Sequence, residues 1–394
     1  MRDSSTIVNI NSGFANEPAL NIQNGGLVNI NTTAVQFDSV VIGTEGGCWW
    51  GGCTATSVIT TGGFSGTWNG TAYSSTPGIN NGQLHIKATN AVTVGGFGLI
   101  HMDGKGYRGG QDAGEDGYSV GGPNTFGAGK AGGNGSAASY ASLACNAGSR
   151  GPGIVFGASD FATQLYLGSG GGNRLEVAGG NGGGAIKITA GSLTNGGTIR
   201  ADGTRTGGGN NNGGSGGTIY FSVTGEFANT NTISVNGADC GGYGRVKIDA
   251  GSLGNSTGTI NGMVDSNITA KLTQNITSIS YAPGQLEIVD NSKTYRMGFI
   301  STTSTQNHNW EKIFSGKSIQ TLSISGGTAF SFDQANNITM SVGTLTIAGG
   351  SVVSFNAATN VSIANLSVRD SSTIVNINSG FANEPALNIQ NGGL

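Results

Sequence analysis

The chain has 394 residues, of which 74 are Gly, only 6 are Pro and 10% are charged, with a formal net charge of −3. Scarce charge beside abundant Val, Ile and Thr excludes a disordered chain, and Gly without a strict three-residue period excludes collagen. The balance gives no basic footprint for nucleic acid, and no apolar run approaches the roughly 18 residues of a membrane span. An all-β fold is the expectation that remains.

The chain opens on a segment it carries twice. Arg2 to Leu27, RDSSTIVNINSGFANEPALNIQNGGL, recurs without substitution as Arg369 to Leu394, a shift of 367 residues. A repeat kept only by structure would preserve its apolar period and let its outward Ser, Asn and Gln drift. Identity at those free positions points to a recent tandem duplication. The chain therefore reads as one 367-residue unit of a longer array, with the first rung of the next unit attached and Met1 as an added start residue.

Residues 1–42 read as solenoid coils: Leu20 is the image of Leu387, and Val41 lies 21 residues further on. Residues 43–81 interrupt this pattern with Cys48-Trp49-Trp50-Gly-Gly-Cys53, Trp68 and Tyr73. Zinc needs more thiolates or His than stand nearby, so Cys48 and Cys53 predict a disulfide-closed loop and an oxidising compartment. Cys145 and Cys240 lie far apart, and their pairing stays open. The rings of Trp49, Trp50, Trp68 and Tyr73 suit either stacking on sugars or folding back as a lid over the apolar flank of the strands.

Residues 82–262 carry a second repeat. Gly82-Gln-Leu-His-Ile leads to Asp103-Gly, Gly184-Ala-Ile-Lys-Ile to Asp202-Gly, Gly217-Thr-Ile-Tyr-Phe to Asn236-Gly, and Gly244-Arg-Val-Lys-Ile to Asn261-Gly. Asp-Gly and Asn-Gly suit tight turns because both residues tolerate positive φ. Gly-rich excursions follow the turns, the longest from about 104 to 183, expected to lie along the strands as close-packed extended Gly-rich segments. Residues 263–318 are poor in Gly. There Gln285-Leu-Glu-Ile-Val and Thr294-Tyr-Arg-Met-Gly-Phe read as a hairpin, within irregular coils or a small β insertion. Regular coils fill 319–394, where Leu322, Leu345, Leu366 and Leu387 recur at steps of 23, 21 and 21 residues, each opening an alternating strand.

The runs Gly182-Gly-Gly-Ala-Ile-Lys-Ile through Ala201-Asp-Gly203 and Gly216-Gly-Thr-Ile-Tyr-Phe through Asn236-Gly237 resemble the glycine-rich parallel β-helix repeats of very large bacterial surface proteins. The Leu-x-Ile-x-Gly-Gly coils are similar to those of filamentous-haemagglutinin-type adhesins. The resemblance implies a right-handed parallel β-helix with long Gly-rich loop insertions, located outside the cell or on its surface and used as a structural or adhesive fibre. It brings no catalytic motif and no cofactor. The expected partners are identical units stacked end to end, and surface glycans.

The alternative is a β-helix that binds or cleaves polysaccharide. Cleavage needs convergent acids and bases, for which His101, Asp103, Lys105, Arg200 and Asp202 are the candidates. Asp103 and Asp202 occupy the turn position that Asn236 and Asn261 fill elsewhere, so turn geometry accounts for them without catalysis. Asp112, Glu115 and Asp116 match no calcium-loop spacing, and a solvated acidic loop is expected. His85 and His101 read as a surface pair, and no metal site is expected.

Overall fold

A computed structural model describes residues 6–14, 16–32, 35–44, 56–75, 78–79, 81–123, 128–129, 137–139, 144, 165–173, 177–206, 212–254, 256, 258–268, 275–282, 285–290, 293–298, 316–327, 329–331, 339–356 and 360–390. Among the described residues every regular element is a strand. The fold is all-β and mostly parallel. It divides into two compact units, Met1–Asp249 with Asn261–Met263, and Ala250–Ile260 with Val264–Leu394.

In the first unit the strands Ile7–Ile10, Leu27–Ile30, Ser57–Thr60, Gly98–His101, Thr198–Arg200 and Thr232–Ser234 lie side by side in that order, all parallel. Their register sets Val8, Val28, Ile59, Ile100, Ile199 and Ile233 in one column. Alternation sends every second side chain inward, so the column is buried from Val28 onward. A second strip stacks Gly82–Lys87, Ala185–Ala190 and the start of Thr218–Asn229, again parallel. It aligns Leu84 with Ile186 and Ile219, and Ile86 with Ile188 and Phe221, all buried. This is the register in which the Gly82, Gly184 and Gly217 runs align in sequence.

The Gly-rich excursions of this unit are ordered where they are described, and they pair with a period of three. Tyr107 and Gly110 donate their N–H groups to Gly168 and Gly171, which donate in turn to Gly183 and Gly180. Gly182 and Gly179 donate back to Tyr107 and Gly110, while Gly180 and Gly183 donate to Asn212 and Ser215. Each step spans three residues, and the bonds run between segments. That is the signature of three-residue-per-turn extended helices packed as a bundle. Their backbones approach so closely that a Cβ on Gly180 would stand 1.7 Å from the Thr204 carbonyl oxygen, and one on Gly170 1.9 Å from that of Arg108. The Gly content is thus a packing requirement.

In the second unit Asn275–Ala282, Ser318–Ile324, Met340–Ile347, Val361–Arg369 and Ala386–Gln390 run parallel. Leu322, Leu345, Leu366 and Leu387 stand in one column, continued by Ile279. A shorter strip aligns Ala329–Ser331, Val352–Phe355 and Ile374–Ile377. Corners between the strips use positive φ at Gly349 (63°) and Gly350 (74°), and Asp370 takes the same conformation (76°) at the next corner. The Asp370 carboxylate accepts the Gly349 N–H at 2.8 Å, tying one corner to the next. Gln285–Asp290 and Lys293–Gly298 form an antiparallel hairpin.

Candidate functional site

Candidate chemistry gathers in three places: the carboxylate column at Asp103, the aromatic residues near Trp68, and the two copies of the repeated segment. The first is built by register. His101 pairs with Arg200 and Arg200 with Ser234, so Asp103, Asp202 and Asn236 follow each other two residues on. One oxygen of Asp103 accepts the Asp202 N–H at 3.0 Å, and Asp202 accepts the Asn236 N–H at 2.7 Å and the Ser234 hydroxyl at 2.6 Å. Arg200 Nε lies 2.6 Å from the second Asp103 oxygen, and His101 Nδ1 3.6 Å from it. Burial pushes the Asp202 carboxyl above its ordinary pKa, against the pull of the Ser234 and Asn236 hydrogen bonds. Each carboxylate here holds the backbone of the neighbouring segment. Of the expected tight turns, Asp103-Gly104 forms one, with Gly104 at φ 61°, whereas Gly203 and Gly237 stay out of the left-handed region and the chain there pairs onward, Gly203 N–H donating to the Asn236 carbonyl. Lys105 is not part of this column, since its side chain lies over Gly63.

The aromatic residues converge from two stretches of chain, 64–73 and 107–118. The Tyr73 ring sits 5.1 Å from Phe64, 5.0 Å from Trp68 and 5.4 Å from Tyr107, the last pair stacked. Its hydroxyl donates to the Ser119 carbonyl, and burial, with Tyr107 and Tyr118 nearby, raises its pKa. Trp68 lies against Gly122, where a Cβ would come within 2.6 Å of the indole. Phe64, Tyr73 and Tyr118 pack on a buried cluster of Tyr107, Leu165, Leu167, Ala185 and Tyr220. The Arg108 guanidinium stands 4.0 Å from the Tyr118 ring centre and binds Glu115 at 2.5 and 3.1 Å. Burial opposes ionisation of Glu115, but bonds from Arg108, the Gln111 and Asp112 N–H groups and Tyr118 outweigh it and hold the carboxyl down at about 2. A recess of about 140 Å³ remains between Phe64, Thr67, Tyr73, Tyr107, Arg108 and Tyr118.

Trp49, Trp50, Cys48 and Cys53 lie outside the described residues. Cys240 is disulfide-bonded. Glu115 is committed to Arg108, while Asp112 is exposed. His85 and His101 stand in different sheets, paired with Lys187 and Arg200, and both are half-buried rather than on the open surface. Their expected surface pair does not form because their strands belong to different strips. Among the described residues no three His, Cys, Asp or Glu side chains gather as a metal site. Tyr107, Arg108 and Tyr118 were not singled out from sequence. The available signal was a pair of bulky residues inside the run Gly106-Tyr107-Arg108-Gly109-Gly110.

The repeated segment is the third place, and its two copies are paired on different neighbours. In the first copy Ile7–Ile10 pairs with Leu27–Ile30 and Leu20–Ile22 with Val40–Ile42, both with chain that follows. In the second copy the same residues, as Ile374–Ile377 and Ala386–Gln390, pair with Val352–Phe355 and Val361–Arg369, chain that precedes. Polar ladders mark both pairings. Asn29 donates to Asn9 and Asn31 to Asn11, each at 2.8 Å, while Asn376 donates to Ser354 at 3.2 Å and Asn378 to Asn356 at 2.7 Å. Exposure differs accordingly: Ile10 and Ile22 are 7% and 0% exposed, their images Ile377 and Ile389 52% and 54%. The first copy keeps an open groove of about 400 Å³ lined by Val8, Ile10, Phe14, Pro18, Leu20 and Phe37. In the second copy the image of Phe14, Phe381, packs edge-on against Phe355 at 4.9 Å. No protein family, no curated protein and no solved structure matches this chain.

Proposed function

We propose that the chain is a right-handed parallel β-solenoid, one unit of a tandem array that forms a structural or adhesive fibre outside the cell or on its surface. The observation that carries this reading is the repeated segment. One sequence pairs in register with preceding chain in one copy and with following chain in the other, through the same residues. A coil of this sequence placed between two units would have both edges paired and both apolar faces covered, as an interior coil of a solenoid requires. Register steps of 20 to 23 residues in the regular coils support the architecture. The bonded Cys240 fits an oxidising location.

A scaffold also accounts for the candidate chemistry. Asp103 and Asp202 serve as acceptors for the backbone of successive neighbouring segments, and Tyr73 is packed among other rings as part of a cover. Long-read sequencing of the parent gene tests the reading. Further 367-residue units behind a secretion signal are expected; a gene holding the unit once would overturn it.

A further inference from the structure

We propose that separate molecules join by exchanging the repeated coil: residues 369–390 of one molecule and residues 2–23 of another compete for a single position, and the joined pair keeps one of them. This rests on the end-to-end reading above and specifies its interface. The strands Val352–Phe355 and Val361–Arg369 hold a coil whose sequence is that of the other molecule's first coil, residue for residue. The first coil of a second molecule can therefore reproduce each bond. Val352 would pair with Ile7 in place of Ile374, Asn11 would donate to Asn356 in place of Asn378, and Phe14 would pack on Phe355 in place of Phe381. That last contact fills the open groove beside Phe14.

The reverse replacement is equally available. The edge formed by Leu27–Ile30 and Val40–Ile42 accepts residues 374–377 and 387–389 of another molecule in the register it already uses for 7–10 and 20–22. Simple stacking, with both coils retained, is the competing arrangement. It would set identical coils face to face, placing Glu384 over Glu17, and like charges directly opposed across a ladder are destabilising. Exchange needs only pairings that already occur in the molecule. It leaves the number of coil-to-coil interfaces unchanged and returns the displaced coil's conformational freedom against the cost of association. The coils most readily released are the two copies of the repeat, each of which pairs on one side among the described residues.

Cysteine trapping in full-length chains tests this. Ser354 pairs with Asn376, whose image is Asn9, and Asn9 pairs with Asn29. Neighbouring strands lie about 4.8 Å apart, within reach of a disulfide. Three mixtures of single variants are incubated, oxidised and mapped by mass spectrometry: Ser354→Cys with Asn9→Cys, Asn376→Cys with Asn29→Cys, and Asn376→Cys with Asn9→Cys. A Ser354→Cys/Asn376→Cys chain, which links within itself, shows that the geometry permits the bond. Exchange predicts a covalent dimer in the first or second mixture. A dimer in the third mixture alone overturns exchange and leaves end-to-end stacking standing. No dimer in any mixture overturns both.

Discussion

Asp202 and His85 show how single residues here are tied to the strand beside them. Asp202 ends its own strand and is an acceptor for the next segment, through Asn236 N–H and Ser234. Sequence alone revealed the column, because Asn236 and Asn261 stand at the equivalent positions. It did not reveal that each carboxylate reaches across to the backbone of the following segment, nor that Asp202-Gly203 and Asn236-Gly237 stay out of a tight turn. His85 is different. Burial, with Lys187 and Lys87 close by, lowers its pKa to about 4, and its Nε2 is buried with no hydrogen-bond partner among the described residues. The folded state therefore favours the neutral ring, while the unfolded chain takes up a proton near pH 6.5. The stability contributed by neutral His85 is complete above pH 6.5 and is lost as pH falls from there to about 4. His85→Gln should flatten that part of the stability profile, which denaturant titrations at pH 7, 5 and 4 will read; parallel profiles for the two proteins would contradict the assignment.

At the scale of elements, two kinds of periodicity organise the chain, and they differ in how visible they are in sequence. The period-2 strands could be aligned by eye: the columns of Leu322, Leu345, Leu366 and Leu387, and of Gly82, Gly184 and Gly217, are the registers found. Apolar side chains mark an inward face, so alternation carries the information. The three-residue bundle offers no such mark, since its inward positions are Gly and its outward ones vary. Its partners are chosen by which backbones can touch, and only the structure gives them. For the same reason Tyr107, Arg108 and Tyr118 could not be joined to Trp68 and Tyr73 from sequence. The bundle predicts a sharp contrast between glycines. Gly180→Ala drives a Cβ into the Thr204 carbonyl and should cost about 3 kcal/mol or more. Gly380→Ala meets nothing within 4 Å and should change stability by less than about 0.5 kcal/mol. Chemical denaturation of the two variants checks this; equal costs would mean that the glycines are not held by close packing.

At the scale of the whole molecule, the repeated coil is legible in two ways that agree. The sequence marks it by identity at positions that folding leaves free, and the structure pairs each copy on the side that the other leaves open. Along one column, exposure runs from buried Leu345 and Leu366 to 58% at Leu387, although the residue is the same. The exposure of Leu387 thus follows from its place in the column and not from its side chain. What the sequence could not display is that both pairings use the same four residues of the Ile-Val-Asn-Ile strand, and that its Asn accepts from Asn29 in one copy and donates to Ser354 in the other, which is what lets one coil fit both neighbours.

The most direct test joins two units in one chain, residues 1–394 followed directly by 28–394, and follows amide hydrogen exchange in the three copies of the repeated segment. A peptide that spans the internal copy together with both its flanks, from before Arg369 to beyond the junction with Val28, occurs once in the joined chain and reports that copy alone. With both edges paired, the internal copy should exchange more slowly than either terminal copy. Equal exchange in all three would contradict the claim that this coil is built to stand between units.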